Sequence, residues 1–425
     1  MDDLTRLPVV TPATTPSDRI GVLDVLRGLA LLGMYFVHFN YYEATPAGTT
    51  PGRSAAFLEQ ALWLLFSERF YAIFGMLFGV GFAIQLARAD GRGEPFVGRY
   101  LRRLAALAAF GFIAEGVFGY NVLFGYAMWG LPLLLVRRWP VKALVVLAIL
   151  CAASRPVYNL ARTAWYERQP GGVAQLTAAN EASFQRFQAA RAANEAAEQS
   201  PDWGTVIASR IHFMPVFHRQ WSFLPSGSFT LFLIGMIWFK LGLFSRPETN
   251  RRLIVALMIG GVASWVFATW VFPIGPRPDG PPPGVWQAFL TTARLTGFSL
   301  VREQWLAFTY LGVVLLLVAR DRVTWLQRLS PLAWAGRMAL TNYMMQVILV
   351  DVLFTPHGLG LRIPALLVPV CAVGLFALQV ATSRWWLSRY RIGPLEWLWR
   401  CITYWKRESL RRTTAVPVPV AASAT

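Results

Sequence analysis

Residues 19–40 read RIGVLDVLRGLALLGMYFVHFN, an apolar run that carries Asp24, Arg27, His38 and Asn40. In hydrocarbon each of these is costly unless it meets a partner or water, so each marks a functional site by default. Asp24 and Arg27 are three apart and share a helix face. They read either as an ion pair that fixes the first helix, or as an anion-receiving site in which Asp24 orients the Arg27 fork. His38 and Asn40 stand at the opposite end of the run. Histidine titrates near neutral pH and can accept a proton in catalysis. On an aromatic-rich helix it also reads as merely solvated.

Other polar residues interrupt later apolar runs. FSERFYAIFGMLFGVGFAI at 66–84 opens with Glu68 and Arg69, and Gly75 and Gly79 then form a G-x-x-x-G step that lets two helices approach closely. Glu115 and Asn121 flank a short turn, where Glu115 could act as a base or as a solvated cap. RIHFMPVFHRQWSFLP at 210–225 holds His212 and His218 six apart, which does not suit the i, i+4 spacing of a helical metal pair, so no metal site is expected. GRMALTNYMMQVILVD at 336–351 carries Arg337, Thr341, Asn342, Gln346 and Asp351. That polar stripe either hydrogen-bonds neighbouring helices or lines a cavity. After the last run, Gly393-Pro394 starts an amphipathic helix with Glu396 and Arg400 at i, i+4. Its Trp397, Trp399, Tyr404 and Trp405 suit the headgroup region.

The elements that position these residues are membrane helices. The chain has 425 residues, 55% hydrophobic and only 15% charged, where a soluble domain carries about 25%. Runs long enough to cross a bilayer occupy 22–40, 69–87, 101–119, 121–136 and 141–157, then 223–244, 252–273, 303–319, 337–355 and 363–386. The expected fold is therefore all-α, a polytopic membrane protein of about ten transmembrane helices. Arginines cluster in alternate loops, at 88–103, 137–142, 240–252, 320–328 and beyond 384. By the positive-inside rule this puts both termini in the cytoplasm. The net charge of +18 thus reads as topology and not as nucleic-acid binding, since no basic RNA- or DNA-binding motif accompanies it. Cys151, Cys371 and Cys401 are scattered without metal or disulfide spacing.

The expected organisation is a disordered tail at 1–18, an N-terminal helical bundle at 19–157 and an extracytoplasmic helical loop at 158–222. A C-terminal bundle follows at 223–400 and a cytoplasmic tail at 401–425. The stretches 54–67 and 285–301 read as amphipathic helices lying at the interface or re-entrant. The N-terminus lacks a charged region followed by an apolar one, so no cleavable signal peptide is expected.

RIGVLDVLRGLALLG at 19–33, FYAIFGMLFGVGFAI at 70–84, GRMALTNYMMQ at 336–346 and RYRIGPLEWLWR at 389–400 together resemble a bacterial membrane-protein family, the YeiB type with domain of unknown function 418. LDVLRG followed by an apolar helix is also similar to the opening of the transmembrane acyltransferases, including the heparan-glucosaminide N-acetyltransferase. That resemblance implies an acyltransferase-like bundle with acyl-coenzyme A as a donor substrate on the cytoplasmic side and a sugar or lipid acceptor beyond it. It implies Asp24 and Arg27 near the donor path. The acetyltransferase relatives place an essential histidine in the loop after the first helix. Here that loop, YYEATPAGTTPGR, has none. The base then falls to His38 or Glu115, with Asn40, Glu68, Arg69, Arg337 and Asn342 as further substrate-binding positions. No resident cofactor is expected. Localisation is the bacterial inner membrane. A transporter remains the alternative, with Asp24, Arg27 and Asp351 forming a solute or proton path. A scaffold for an envelope complex is a third.

Overall fold

The computed structural model describes residues 21–40, 53–66, 69–120, 122–221, 227–271 and 305–411. The expected N-terminal tail, residues 412–425 of the expected C-terminal tail, Glu68, Asn121 and the amphipathic stretch at 285–301 lie outside the described residues, as does the side chain of Asn40.

Helices follow one another in chain order. They are α1 Gly21–Asn40, α2 Arg53–Phe66, α3 Arg69–Gly91, α4 Val97–Gly116, α5 Val122–Gly130 and α6 Leu133–Val136. The middle of the chain adds α7 Val141–Glu167, α8 Gly172–Ala197 and α9 Trp203–Trp221. The last part comprises α10 Ser228–Lys240, α11 Arg251–Val271, α12 Leu306–Arg320, α13 Arg322–Arg328, α14 Ser330–Arg337, α15 Ala339–Phe354, α16 Val368–Arg389 and α17 Pro394–Tyr404. Among the described residues extended pairing is limited to one isolated bridge, Tyr390 with Arg411.

α1 is the axis. It packs on α3, α14, α15 and α16, and 78% of its apolar window is buried. The corresponding windows of α7 and α16 are only 17% and 28% buried, so these two helices form the outer surface. Glycine sets the closest approaches. A Cβ on Gly28 would stand 1.9 Å from the Leu332 carbonyl oxygen, and one on Gly336 would stand 1.8 Å from that of Asp24. The LDVLRG and GRMALTNY stretches are therefore two sides of one contact, α1 on α14. Gly79 bears in the same way on the Phe232 carbonyl, and Gly235 on that of Met76. The G-x-x-x-G step on α3 thus seats α10, and the N- and C-terminal bundles share one apolar core.

Among the described residues, Gly21–Phe39, Val141–Glu167 and Val368–Arg389 are long and apolar enough to cross a membrane, and a further such stretch includes α3. One more arises if α14 and α15, bent by 82° at Met338, are one broken span. α10 and α12 are shorter apolar helices. Two of the expected runs are not single helices. Residues 121–136 split into α5 and α6 at Gly130–Pro132, where proline supplies no backbone donor to continue the first helix. The run 337–355 begins only after the bend at Met338.

Candidate functional site

A cavity of about 150 Å³ opens among α1, α3, α4, α5, α15 and α17. Arg27 and Arg103 supply its charge, while Phe74, Leu77, Phe78 and Leu107 give it an apolar body. Arg27 pairs with Asp24 at 2.8 Å, so the expected ion pair exists and its arginine still reaches the cavity. Arg103 has no carboxylate partner among the described residues, and its guanidinium lies 3.6 Å over the Trp399 ring. α17 brings that ring into place, because Trp399 donates to the Arg103 carbonyl at 2.9 Å and Arg102 donates to that of Thr403 at 3.0 Å. Two cations and one carboxylate leave this end of the cavity positive.

The far wall carries Met34 and Tyr343. His38 stands one turn beyond Met34, about 16 Å along α1 from Arg27. Its ring lies 4.4 Å from that of Tyr120 and 6.0 Å from that of Tyr343. Local chain geometry delivers Tyr120. Gly119 is left-handed at φ 77°, Tyr120 N–H bonds the Ala114 carbonyl and Gly119 N–H bonds that of Glu115. The Gly119 bond is that of an αL helix stop, available at low cost only to glycine. Glu115 is buried and accepts or shares a proton with His218 Nε2 at 2.8 Å. The carboxylate expected as base therefore belongs to a histidine–carboxylate pair contributed by α4 and α9.

A third cluster ties α8 and α9 to the bundle. Arg210 contacts Glu198 at 2.6 Å and Asp351 at 2.7 Å, and donates to the Val117 carbonyl. Burial opposes the charge on Arg210, but its bonds to Glu198 and Asp351 raise its pKa further above the ordinary value. His357 approaches Asp351 at 3.3 Å. Ligand atoms of Glu198, Asp351 and His357 lie within 4.8 Å of one another. Arg210 already supplies the cation among them, so the cluster reads as an ion-pair network. It also takes Asp351 off the path that the transport reading requires.

The remaining sequence candidates separate from the cavity. Arg69 is fully buried and donates to the Trp63 carbonyl at 3.5 Å. Arg337 donates to the Arg391 carbonyl at 3.3 Å. Asn342 donates to the Ala335 carbonyl and to Ser383 Oγ, each at 2.9 Å. Gln346 donates to the Leu31 carbonyl at 3.1 Å. Of the two readings of the polar stripe, helix-to-helix hydrogen bonding is the one these residues follow. Sequence reasoning missed Arg103, Trp399, Tyr343 and His357 as site residues. Arg103 looked like one more loop arginine, and nothing local links it to a tryptophan 296 residues away.

Fold and site define an all-helical membrane protein whose internal cavity carries two arginines and, at the other end, the Tyr343 phenol, with the buried His38 imidazole beside that phenol. Residues 19–173 match the family model for the catalytic domain of heparan-alpha-glucosaminide N-acetyltransferase. Residues 238–406 match the model described as protein of unknown function DUF418. The chain is 29% identical to the uncharacterized protein YxaH of Bacillus subtilis (strain 168), over 95% of this chain and 98% of that one. It is 28% identical to an uncharacterized 39.9 kDa protein in the amylase 3' region of Bacillus acidopullulyticus, over 91% and 94%. Over 72 residues, 17% of this chain and 19% of the other, it is 38% identical to the uncharacterized protein YeiB of Escherichia coli (strain K12). No solved structure gives a significant match. The matches are to YeiB-type proteins, with the DUF418 region at residues 238–406.

Proposed function

We propose that the protein is a multi-pass inner-membrane acyltransferase with about ten spans and both termini in the cytoplasm. It moves an acyl group from a cytoplasmic acyl-coenzyme A to an extracytoplasmic sugar or lipid acceptor. The observation that carries this reading is the single cavity running from Arg27 and Arg103 to Tyr343, beside His38. Arg27, oriented by Asp24, and Arg103 hold donor phosphates, for which guanidinium groups are well suited. The acyl end reaches the α1 segment that carries His38. His38, or the Glu115–His218 pair, accepts the proton of the attacking acceptor. The acetyltransferase match over residues 19–173 supports the same chemistry, because those residues include α1 and the Glu115 turn.

The test is equilibrium binding of acetyl-coenzyme A to the full chain in lipid nanodiscs. Native protein should bind, and Arg27→Ala or Arg103→Ala should each weaken binding by about tenfold or more, as expected for loss of a charge-assisted contact. Failure of the native protein to bind any acyl-coenzyme A would remove the reading.

A further inference from the structure

We infer that Tyr343 is a catalytic residue, its hydroxyl donating a hydrogen bond to the acyl carbonyl oxygen as negative charge builds there. The inference rests on the acyl-transfer reading above.

The four tyrosines that line the cavity are not equivalent. Tyr100 donates to the Gly130 carbonyl at 3.1 Å, and Tyr126 donates to that of Tyr71 at 2.8 Å. The Tyr71 hydroxyl bonds Ser228 Oγ. These three present ring faces to the cavity and keep their hydroxyls engaged in the wall. Tyr343 is 4% exposed, and its hydroxyl meets no protein partner among the described residues. A buried hydroxyl without a partner is unfavourable, and native structures retain few of them. Tyr343 borders the cavity and stands against His38, whose Nδ1 is likewise buried and unpartnered among the described residues. The two unpartnered groups lie side by side at one end of the cavity wall, and His38 stands about 16 Å along α1 from Arg27.

The support beneath Tyr343 is rigid. Its neighbours Asn342 and Gln346 bond Ala335, Ser383, Leu31 and Gln379, while Thr341 bonds Glu396. A donor held in this way requires no reorganisation when the charge forms, which is the source of oxyanion stabilisation. In the step, the acceptor's oxygen or nitrogen forms a bond to the thioester carbon. The carbonyl π pair moves onto oxygen, where the Tyr343 O–H donates to it. Collapse restores the carbonyl and breaks the carbon–sulfur bond. The acceptor's proton passes through the base to the departing sulfur, and Tyr343 keeps its own proton throughout.

The experiment compares native protein and Tyr343→Phe, both as full chains in nanodiscs. Phenylalanine preserves the ring and removes only the hydroxyl. Three probes are used: acetyl-coenzyme A for thiol release, S-ethyl-coenzyme A, which lacks the carbonyl, and trifluoroacetonyl-coenzyme A, whose adduct carries the oxyanion. Tyr343→Phe should bind S-ethyl-coenzyme A as the native protein does. It should lose about 10²-fold of the preference for trifluoroacetonyl-coenzyme A, and thiol release should fall by about the same factor. A purely structural role would change affinity for both analogues together. If native protein releases thiol and Tyr343→Phe keeps the native rate and analogue preference, only the Tyr343 assignment falls. If the native protein binds none of the three probes, the acyl-transfer reading falls and takes Tyr343 with it.

Discussion

At the residue scale, polarity inside the membrane had two meanings, and burial of each side chain separates them. Arg27 and Asn342 both interrupt apolar helices. Arg27 lines the cavity and its side chain is 30% exposed, whereas Asn342 is 1% exposed with its amide bonded to Ala335 and Ser383. Asn342→Ala should therefore lower stability by roughly 1–3 kcal/mol, the penalty of stranding buried partners. Donor affinity of the folded fraction should stay within about twofold, because no ligand contact is lost. Thermal unfolding in detergent alongside acyl-coenzyme A binding checks this. A loss of affinity without a loss of stability would return Asn342 to the site.

At the element scale, the bent pair α14–α15 depends on a residue from the far end of the chain. α15 starts at Ala339 with no side-chain cap of its own at Met338. Glu396 on α17 supplies the acceptor, taking the Leu340 N–H at 2.6 Å, the Thr341 N–H at 3.1 Å and the Thr341 hydroxyl at 2.6 Å. Such N-terminal donors otherwise go unsatisfied. Burial pushes the Glu396 carboxyl above the ordinary glutamate value of 4.5, against the pull of its donors on Thr341 and Leu340. The folded chain thus holds this proton more tightly than the unfolded chain does. Glu396 contributes its full stability below the unfolded value, and that contribution is lost as pH rises through the higher folded value. Glu396→Gln, permanently neutral, should flatten the fall in thermal midpoint as pH rises above that ordinary glutamate value. An unchanged pH profile would mean that the carboxyl titrates normally.

At the scale of the whole molecule, close helix contact and open cavity are both written in glycine, and only three-dimensional position tells them apart. Gly336 has the Asp24 carbonyl where a Cβ would go, while a Cβ on Gly81 would meet nothing within 4 Å, at the cavity wall. Gly336→Ala should force α1 and α14 apart, at a cost of about 1–3 kcal/mol or more for overpacking, and should lower the yield of monodisperse protein. Gly81→Leu should leave yield and thermal midpoint near native and weaken acyl-coenzyme A binding by filling the cavity. Size-exclusion profiles and binding isotherms report the two outcomes. Equal tolerance of both substitutions would contradict the packing of α1 on α14.

The sequence by itself determined the class. Apolar runs, sparse charge and arginine-rich alternate loops define a helical membrane protein, because backbone hydrogen bonding in lipid leaves few other solutions. Local spacing also carried the Asp24–Arg27 pair and the close-packing step at Gly75 and Gly79, since both depend on helix periodicity alone. Tertiary structure decided which polar residues share a space. Arg103 under Trp399, Tyr343 beside His38, and Glu115 paired with His218 join residues far apart in the chain, whose approach follows from helix packing and from no local signal. It also broke 121–136 and bent 337–355, where Pro132 and the α1–α14 contact override an apolar run that reads as continuous. The site lies at those long-range meetings, and a one-dimensional pattern cannot encode the distance between them.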